Sequence, residues 1–380
     1  MIDKHNAADH LAPPLTPIAD DLPSTVPFVG PEALERASGA MFRARIGANE
    51  SVFGPSPAAI EAMATAARET WKYGDPELCD LKSALAAKHG VSPDNIAIGE
   101  GIDGLQAYTA RLYMRPGETM VTSAGAYPTM NYHVAGNGGR IVAVPFAGDH
   151  EDPEALLSAA VREKARIVFF VNPDNPMGSW HDAGAVQRMI DDTPAETMLL
   201  LDEAYCETAP SGVVPPLDVD RPNVLRFRTF SKAMGLAGLR VGYVIGRADV
   251  VRNFDKIRNH FGVGRVAQAG ALAALEDVDW LSSVIAQIKE SRERISEIAA
   301  RNGLTALPSG TNFVAVDCGA AGAFARAVLE ELGEQGVFVR MPGVAPLDRC
   351  IRISAGTAAD MDLLTSALPL ALQAARARLS

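Results

Sequence analysis

The chain reads as an α/β protein: a large domain with a mostly parallel seven-stranded sheet, plus a smaller α+β C-terminal domain. Three observations predict this. From Asn95 onward seven short apolar runs, N-I-A-I-G, T-M-V-T-S, R-I-V-A-V-P-F, A-R-I-V-F-F-V, T-M-L-L-L-D, V-L-R-F-R-T-F and V-G-Y-V-I-G, alternate mostly with helix-compatible segments. Several of these runs are continuously apolar, as strands covered on both faces must be. Beyond about residue 250 the pattern changes to a long helical stretch over roughly 264–302 and then T-N-F-V-A-V-D, G-V-F-V-R-M and C-I-R-I-S-A-G, separated by the helix-like A-F-A-R-A-V-L-E-E-L. At 380 residues the chain exceeds one ordinary domain. The expected division is an N-terminal arm over 1–44, a large domain over 45–262 and a small domain over 263–380.

In chain order, the arm is proline-rich and predicts little regular structure before the short helix P-E-A-L-E-R-A. R-I-G-A-N-E-S-V-F-G-P-S-P predicts turns that end at a helix start, S-P-A-A-I-E-A-M, and helix continues over 57–71. W-K-Y-G-D-P-E-L interrupts the pattern, and L-C-D-L-K-S-A-L-A-A-K-H-G resumes it with Gly90 as the stop. The net charge of −11 argues against a nucleic-acid surface, and no basic run opposes it. Four cysteines, Cys79, Cys206, Cys318 and Cys350, lie far apart without C-x-x-C spacing, which fits a reducing compartment and no zinc or disulfide framework. No stretch approaches the apolar length of a membrane span, and the N-terminus carries charges where a signal peptide needs an apolar run. A cytoplasmic location is the expectation.

In an open parallel sheet, ligands bind beyond the carboxyl ends of the strands. The first run leads into G-E-G-I-D-G-L, where the N–H groups of Ile102 and Asp103 at a helix start could hold a phosphate. The fourth leads into N-P-D-N-P-M-G, and the fifth into D-E-A-Y, with Asp202 and Glu203 directly behind four apolar residues. A carboxylate there is costly unless something positive meets it. The sixth leads into R-T-F-S-K-A-M-G-L-A-G-L-R-V-G, where Lys232 and Arg240 are the only positive charges between Arg228 and Arg247. An amine among Phe230, Met234 and Leu236 is desolvated, so its neutral, carbonyl-attacking form is favoured. Ser231 and Arg240 offer a hydroxyl and a planar fork to a phosphate. An imine-forming amine beside a phosphate anchor suits pyridoxal 5'-phosphate. Each of these features alone is more simply a cap or a turn. Their recurrence at successive strand ends is what points to a site.

The set G-E-G-I-D, A-Y-P-T, N-P-D-N-P-M-G, D-E-A-Y, T-F-S-K-A and G-L-R-V-G-Y resembles the fold-type I pyridoxal-phosphate-dependent aminotransferases, and within them the histidinol-phosphate aminotransferase group, over about Ile46 to Gly356. The resemblance implies that Lys232 carries the cofactor and shuttles the substrate proton, and that Asp202 pairs with the ring nitrogen. It implies Tyr205 and Asn175 on the ring oxygen, Tyr127 stacked on the ring, and Thr229, Ser231, Arg240 and the amides of Ile102 and Asp103 on the phosphate. Tyr73 of K-Y-G-D resembles the tyrosine that reaches the cofactor of a neighbouring subunit, which implies a homodimer. Arg352, assisted by Arg340, would grip an anionic substrate group, with Asn49 of I-G-A-N-E and Phe28 of the arm also at the substrate.

Met177 stands where that group has threonine, Ile102 where it has serine, and Gly104 where it has glutamate. Phe28 stands near a tyrosine that contacts substrate phosphate, and loss of that hydroxyl bears on substrate choice. The resemblance implies an amino donor and a keto acceptor as small-molecule partners. A histidinol-phosphate type is the first reading. An aromatic or broad-specificity aminotransferase, or a lyase or decarboxylase on the same fold, is the alternative.

Overall fold

The computed structural model describes residues 13–24 and 29–379. Seven strands form the central sheet: β2 (Ile96–Gly99), β3 (Thr119–Ser123), β4 (Arg140–Val144), β5 (Ile167–Val171), β6 (Met198–Asp202), β7 (Val224–Thr229) and β8 (Gly242–Ile245), preceded in the chain by the short β1 (Ala44–Arg45). Their spatial order is β2-β8-β7-β6-β5-β3-β4, and β8 alone runs antiparallel to its neighbours. All seven apolar runs are therefore strands of one sheet. The centre is apolar throughout for a physical reason. In β5, Ile167, Phe169 and Val171 pack on one face while Val168 and Phe170 pack on the other. In β6, Met198 and Leu200 divide from Leu199 and Leu201 in the same way. With a period of two residues and helices on both faces, neither side of these strands can be polar.

The C-terminal part holds β9 (Thr305–Ala306), β10 (Phe313–Asp317), β11 (Val337–Phe338) and β12 (Cys350–Ser354). β10 is flanked antiparallel by β9 and β12, while β11 pairs parallel with β1. The expected 264–302 helix is two helices, Arg265–Glu276 and Val278–Arg301, broken at Asp277, whose carboxylate accepts from the Trp280 N–H and caps the second. The sequence signals no strand at Ala44–Arg45. Ala44 and Ile46 are nonetheless fully buried among Ile295, Val314, Val316 and Leu364, so this stretch packs with the C-terminal core. Among the described residues, no helix is long and apolar enough to cross a membrane.

Candidate active site

Strand register assembles the site. Gly99, Gly242 and Thr229 lie side by side across β2, β8 and β7, and Asp202 at the end of β6 sits beside Phe227 and Val171. Because β8 is reversed, the chain enters it at Gly242 on the edge where the parallel strands end. That brings Arg240 to the same edge as Thr229, Ser231 and Lys232.

The glycines make the close approach possible. A Cβ on Gly242 would lie 2.8 Å from the Ile102 nitrogen, and one on Gly101, at φ +75°, would lie 2.4 Å from an Arg240 guanidinium nitrogen. Without those side chains the start of the Gly101–Tyr113 helix abuts β8 and the Arg240 fork. Arg240 Nη1 donates to Ser231 Oγ at 3.3 Å, and the Ser231 N–H donates to Thr229 Oγ1 at 3.0 Å. Arg240 itself is held at φ +53°, a left-handed conformation uncommon for a residue with a side chain. Two hydroxyls, a guanidinium and a free helix N-terminus converge here, a donor set suited to a phosphate.

These groups line a cavity of about 560 Å³ that also exposes Asn49, Tyr127, Asn175, Asp202, Tyr205, Lys232, Arg340 and Arg352. Burial lowers the Lys232 amine from its ordinary 10.5 to about 8, with Arg352 and Arg240 adding like-charge repulsion. Its Nζ donates to the carbonyl of Asn49 at 3.3 Å and lies 5.8 Å from the centre of the Tyr205 ring. Asp202 is 5 % exposed, and burial raises its carboxyl to about 7 despite the Ala204 N–H on Oδ1 at 3.0 Å. Burial likewise pushes the Tyr205 phenol up, so it stays protonated as a donor. Arg352 donates to Asn175 Oδ1, which leaves the Asn175 amide nitrogen as a donor. Burial lowers the pKa of both Arg340 and Arg352, and the Nε atoms of both are buried without a partner.

Other expected residues fall elsewhere. Asp103 lines the cavity but turns its carboxylate to Arg240 at 3.5 Å. Tyr73 does not line the cavity. It is 77 % exposed and packs on Phe261 with ring centroids 4.7 Å apart. Phe28 lies outside the described residues. Glu203, beside Asp202 in sequence, turns away from the cavity into a buried pair of ion pairs with Arg226 and Arg228.

The sequence reading places Asn49 at the substrate without showing what it holds together. The Asn49 N–H donates to Ser354 Oγ at 3.0 Å, its Nδ2 donates to the Tyr205 hydroxyl at 3.1 Å, and its carbonyl accepts from Asn312 and Lys232. One residue thus ties β12 and the start of β10 to the lysine and tyrosine of the central sheet. Its φ of +55° is the only local signal, since asparagine is among the few residues that adopt that region readily. Gln106, Ser354 and Asn312 were not singled out by any motif.

Residues 45–368 match the family model for aminotransferase class I and II. The chain belongs to the class I and II aminotransferases. It is 35% identical to histidinol-phosphate aminotransferase 1 of Mesorhizobium japonicum over 86% of this chain and 89% of that protein. Identity is also 35% to the histidinol-phosphate aminotransferase of Roseiflexus castenholzii, over 85% and 88% of the two chains. The structure superposes on that of histidinol-phosphate aminotransferase from Sinorhizobium meliloti in complex with pyridoxal-5'-phosphate with a TM-score of 0.93. The two are 55% identical over 96% of this chain and 99% of the other. For an aminotransferase of this class, a desolvated lysine, a buried carboxylate and a phosphate-binding donor set lining one cavity are the parts its chemistry requires.

Proposed function

We propose that the protein is a pyridoxal-phosphate-dependent aminotransferase of the histidinol-phosphate type, active as a homodimer in the cytoplasm. The observation that carries this reading is the convergence on one cavity of Asp202 at the end of β6, Ser231 and Lys232 just beyond β7, and Arg240 just before β8, with Arg240 donating to Ser231. The side-chain-free cradle at Gly101 and Gly242 fits the phosphate. In this reading Thr229, Ser231, Arg240 and the Ile102 and Asp103 amides hold the phosphate, Asp202 faces the ring nitrogen, Tyr205 and Asn175 donate to the ring oxygen, and Tyr127 covers the ring. Bound there, the cofactor supplies an electrophilic aldehyde and an electron-withdrawing ring.

The remaining work belongs to the chain. Lys232, with its pKa near neutrality, is neutral often enough to attack a carbonyl, and its freed amine is placed to take and return the substrate Cα proton. The anionic carboxylate of Asp202 favours positive charge on the group it faces. Arg340 and Arg352, whose guanidiniums donate to the Val29 carbonyl and to Asn175 and form no ion pair with a carboxylate among the described residues, leave two cationic sites for the anionic groups of the substrate. The similarity to histidinol-phosphate aminotransferases and this double cationic end favour a phosphorylated amino substrate. Exposed Tyr73 and Phe261 offer an aromatic surface to a second copy.

Spectroscopy of the half-reaction tests this. Histidinol phosphate alone should bleach the visible absorption of the bound cofactor stoichiometrically, and 2-oxoglutarate should restore it. Bleaching by phenylalanine but not by histidinol phosphate would favour an aromatic aminotransferase. Continuous turnover without a keto acceptor would indicate a lyase or decarboxylase.

A further inference from the structure

Gln106 lies one turn into the Gly101–Tyr113 helix, three residues beyond Asp103, and is only 1 % exposed. Its Nε2 donates to Oδ2 of Asp202 at 3.4 Å, while the Ala204 N–H holds Oδ1 at 3.0 Å. These are the hydrogen bonds that this carboxylate accepts from the described residues. The Gln106 Oε1 is buried without a partner. A buried amide with an unsatisfied oxygen costs stability, so an apolar residue would pack this position at less cost. The donation to Asp202 is what the polar side chain contributes.

The helix gives this contact its meaning. Residues three apart share a helix face, so the segment whose first N–H groups point at the phosphate cradle also carries the amide that grips the carboxylate at the far end. Several groups face Asp202. Asp103 from the same helix and Glu203 raise its proton affinity, and Lys232 lowers it. Glu151 feels its charge from the 147–151 segment, as do Tyr127 and Tyr205 across the cavity. Two of the nearest charges are thus like-signed, and a neutral donor favours the anion without adding a charge.

We propose that Gln106 is a positioning residue for Asp202. Its amide N–H holds that carboxylate in one orientation and in its anionic form, so that the protein meets a protonated ring nitrogen with a fixed negative charge. This rests on the cofactor reading above. The step involves no covalent change, only the position of one proton between Asp202 and the nitrogen it faces.

Two full-length variants test the role. Gln106→Met removes the donor at nearly constant volume. Gln106→Glu keeps the shape and donates only while protonated. The readouts are the dissociation constant for pyridoxal phosphate and the ¹⁵N chemical shift of ring-labelled cofactor. Gln106→Met should weaken binding about tenfold, the worth of a donor on a charged acceptor, and move the ring signal towards the unprotonated position. Gln106→Glu should resemble the wild type at about pH 6 and fall to or below the Met variant at about pH 9, as its own carboxyl ionises. A merely structural glutamine would leave the ring-nitrogen signal of Gln106→Met where it stands in the wild type. Unchanged affinity and an unshifted ring signal in Gln106→Met would overturn the proposal, as would a Gln106→Glu variant whose affinity does not depend on pH relative to wild type. If Gln106→Met fails to fold, the ring-nitrogen signal of Gln106→Leu decides, a shift towards the unprotonated position supporting the proposal and an unshifted signal overturning it. Wild-type protein that does not bind the cofactor would instead remove the functional reading itself.

Discussion

Arg340 and Arg352 face each other across an isolated antiparallel bridge, each backbone N–H donating to the other's carbonyl, at 3.2 and 2.6 Å. Two cations are thereby set side by side at the cavity by main-chain hydrogen bonds, with no carboxylate among the described residues paired to either. Arg352 then reaches Asn175, and Arg340 donates to the carbonyl of Val29 in the arm at 2.6 Å. Like charges held together in a partly buried site favour an anion between them.

Removing either guanidinium should therefore act mainly on binding of anionic substrate. Arg352→Ala is expected to raise KM for histidinol phosphate by about ten- to a hundredfold, since a hydrogen bond to a charged group is worth roughly 1.5–3 kcal/mol. Arg340→Ala should penalise histidinol phosphate more than phenylalanine. Steady-state kinetics with both substrates check this, and an unchanged ratio in Arg340→Ala would take that residue out of phosphate recognition.

Lys232→Ala should abolish both transamination and the visible absorption of the bound cofactor, because no other amine among the described residues lines the cavity. In cofactor-free protein, the rate at which Lys232 combines with added pyridoxal phosphate should climb as pH rises through about 8 and then level off, as the ammonium gives up its proton. Borohydride trapping followed by peptide mapping locates the adduct, and trapping at another lysine would refute the assignment.

Asp202→Asn carries two expectations of opposite sign. With cofactor, Cα deprotonation should slow by at least about a hundredfold, the scale of losing one charge-stabilising contact in the reacting state. Without cofactor, the folded carboxyl titrates at about 7 against an ordinary 3.8. The fold then binds a proton that the unfolded chain releases. Stability from this group is complete below the unfolded value and is lost as pH rises towards 7. Urea unfolding of cofactor-free protein between those pH values should show Asp202→Asn gaining on the wild type as pH increases. Asp174, also raised to about 7 by burial, keeps its own contribution in both proteins.

Glu203→Ala should cost stability on the order of 3–5 kcal/mol, because Arg226 and Arg228 are 3% and 9% exposed and would be left as buried unpaired charges. Denaturant titration of the two proteins measures the loss. A change below about 1 kcal/mol would mean that the main-chain acceptors of Arg226, the carbonyls of Pro215 and Pro216, satisfy the charge by themselves.

The sequence by itself determined the parts of this protein that depend on local spacing. Period-two apolar runs without polar interruption specify strands with two covered faces, and the polar residue closing each run, such as Asp202 after M-L-L-L, specifies what that strand presents at its carboxyl end. Motif spacing likewise placed Lys232, Ser231 and Arg240 together, because a short glycine-rich loop leaves little freedom to separate them. The tertiary structure decided everything that rests on contacts between distant segments. Asp202 and Glu203 read alike in sequence, yet strand register turned one towards the cavity and the other towards Arg226 and Arg228. Gln106 is an unremarkable helical residue until β6 is set beside its helix, 96 positions away. Ala44–Arg45 became a strand only because β11 offered an unpaired edge nearly 300 residues later, at Val337–Phe338. Local pattern governs which face of an element is apolar. Which elements meet is settled by the burial of those faces against one another, an energy that no short window of sequence contains.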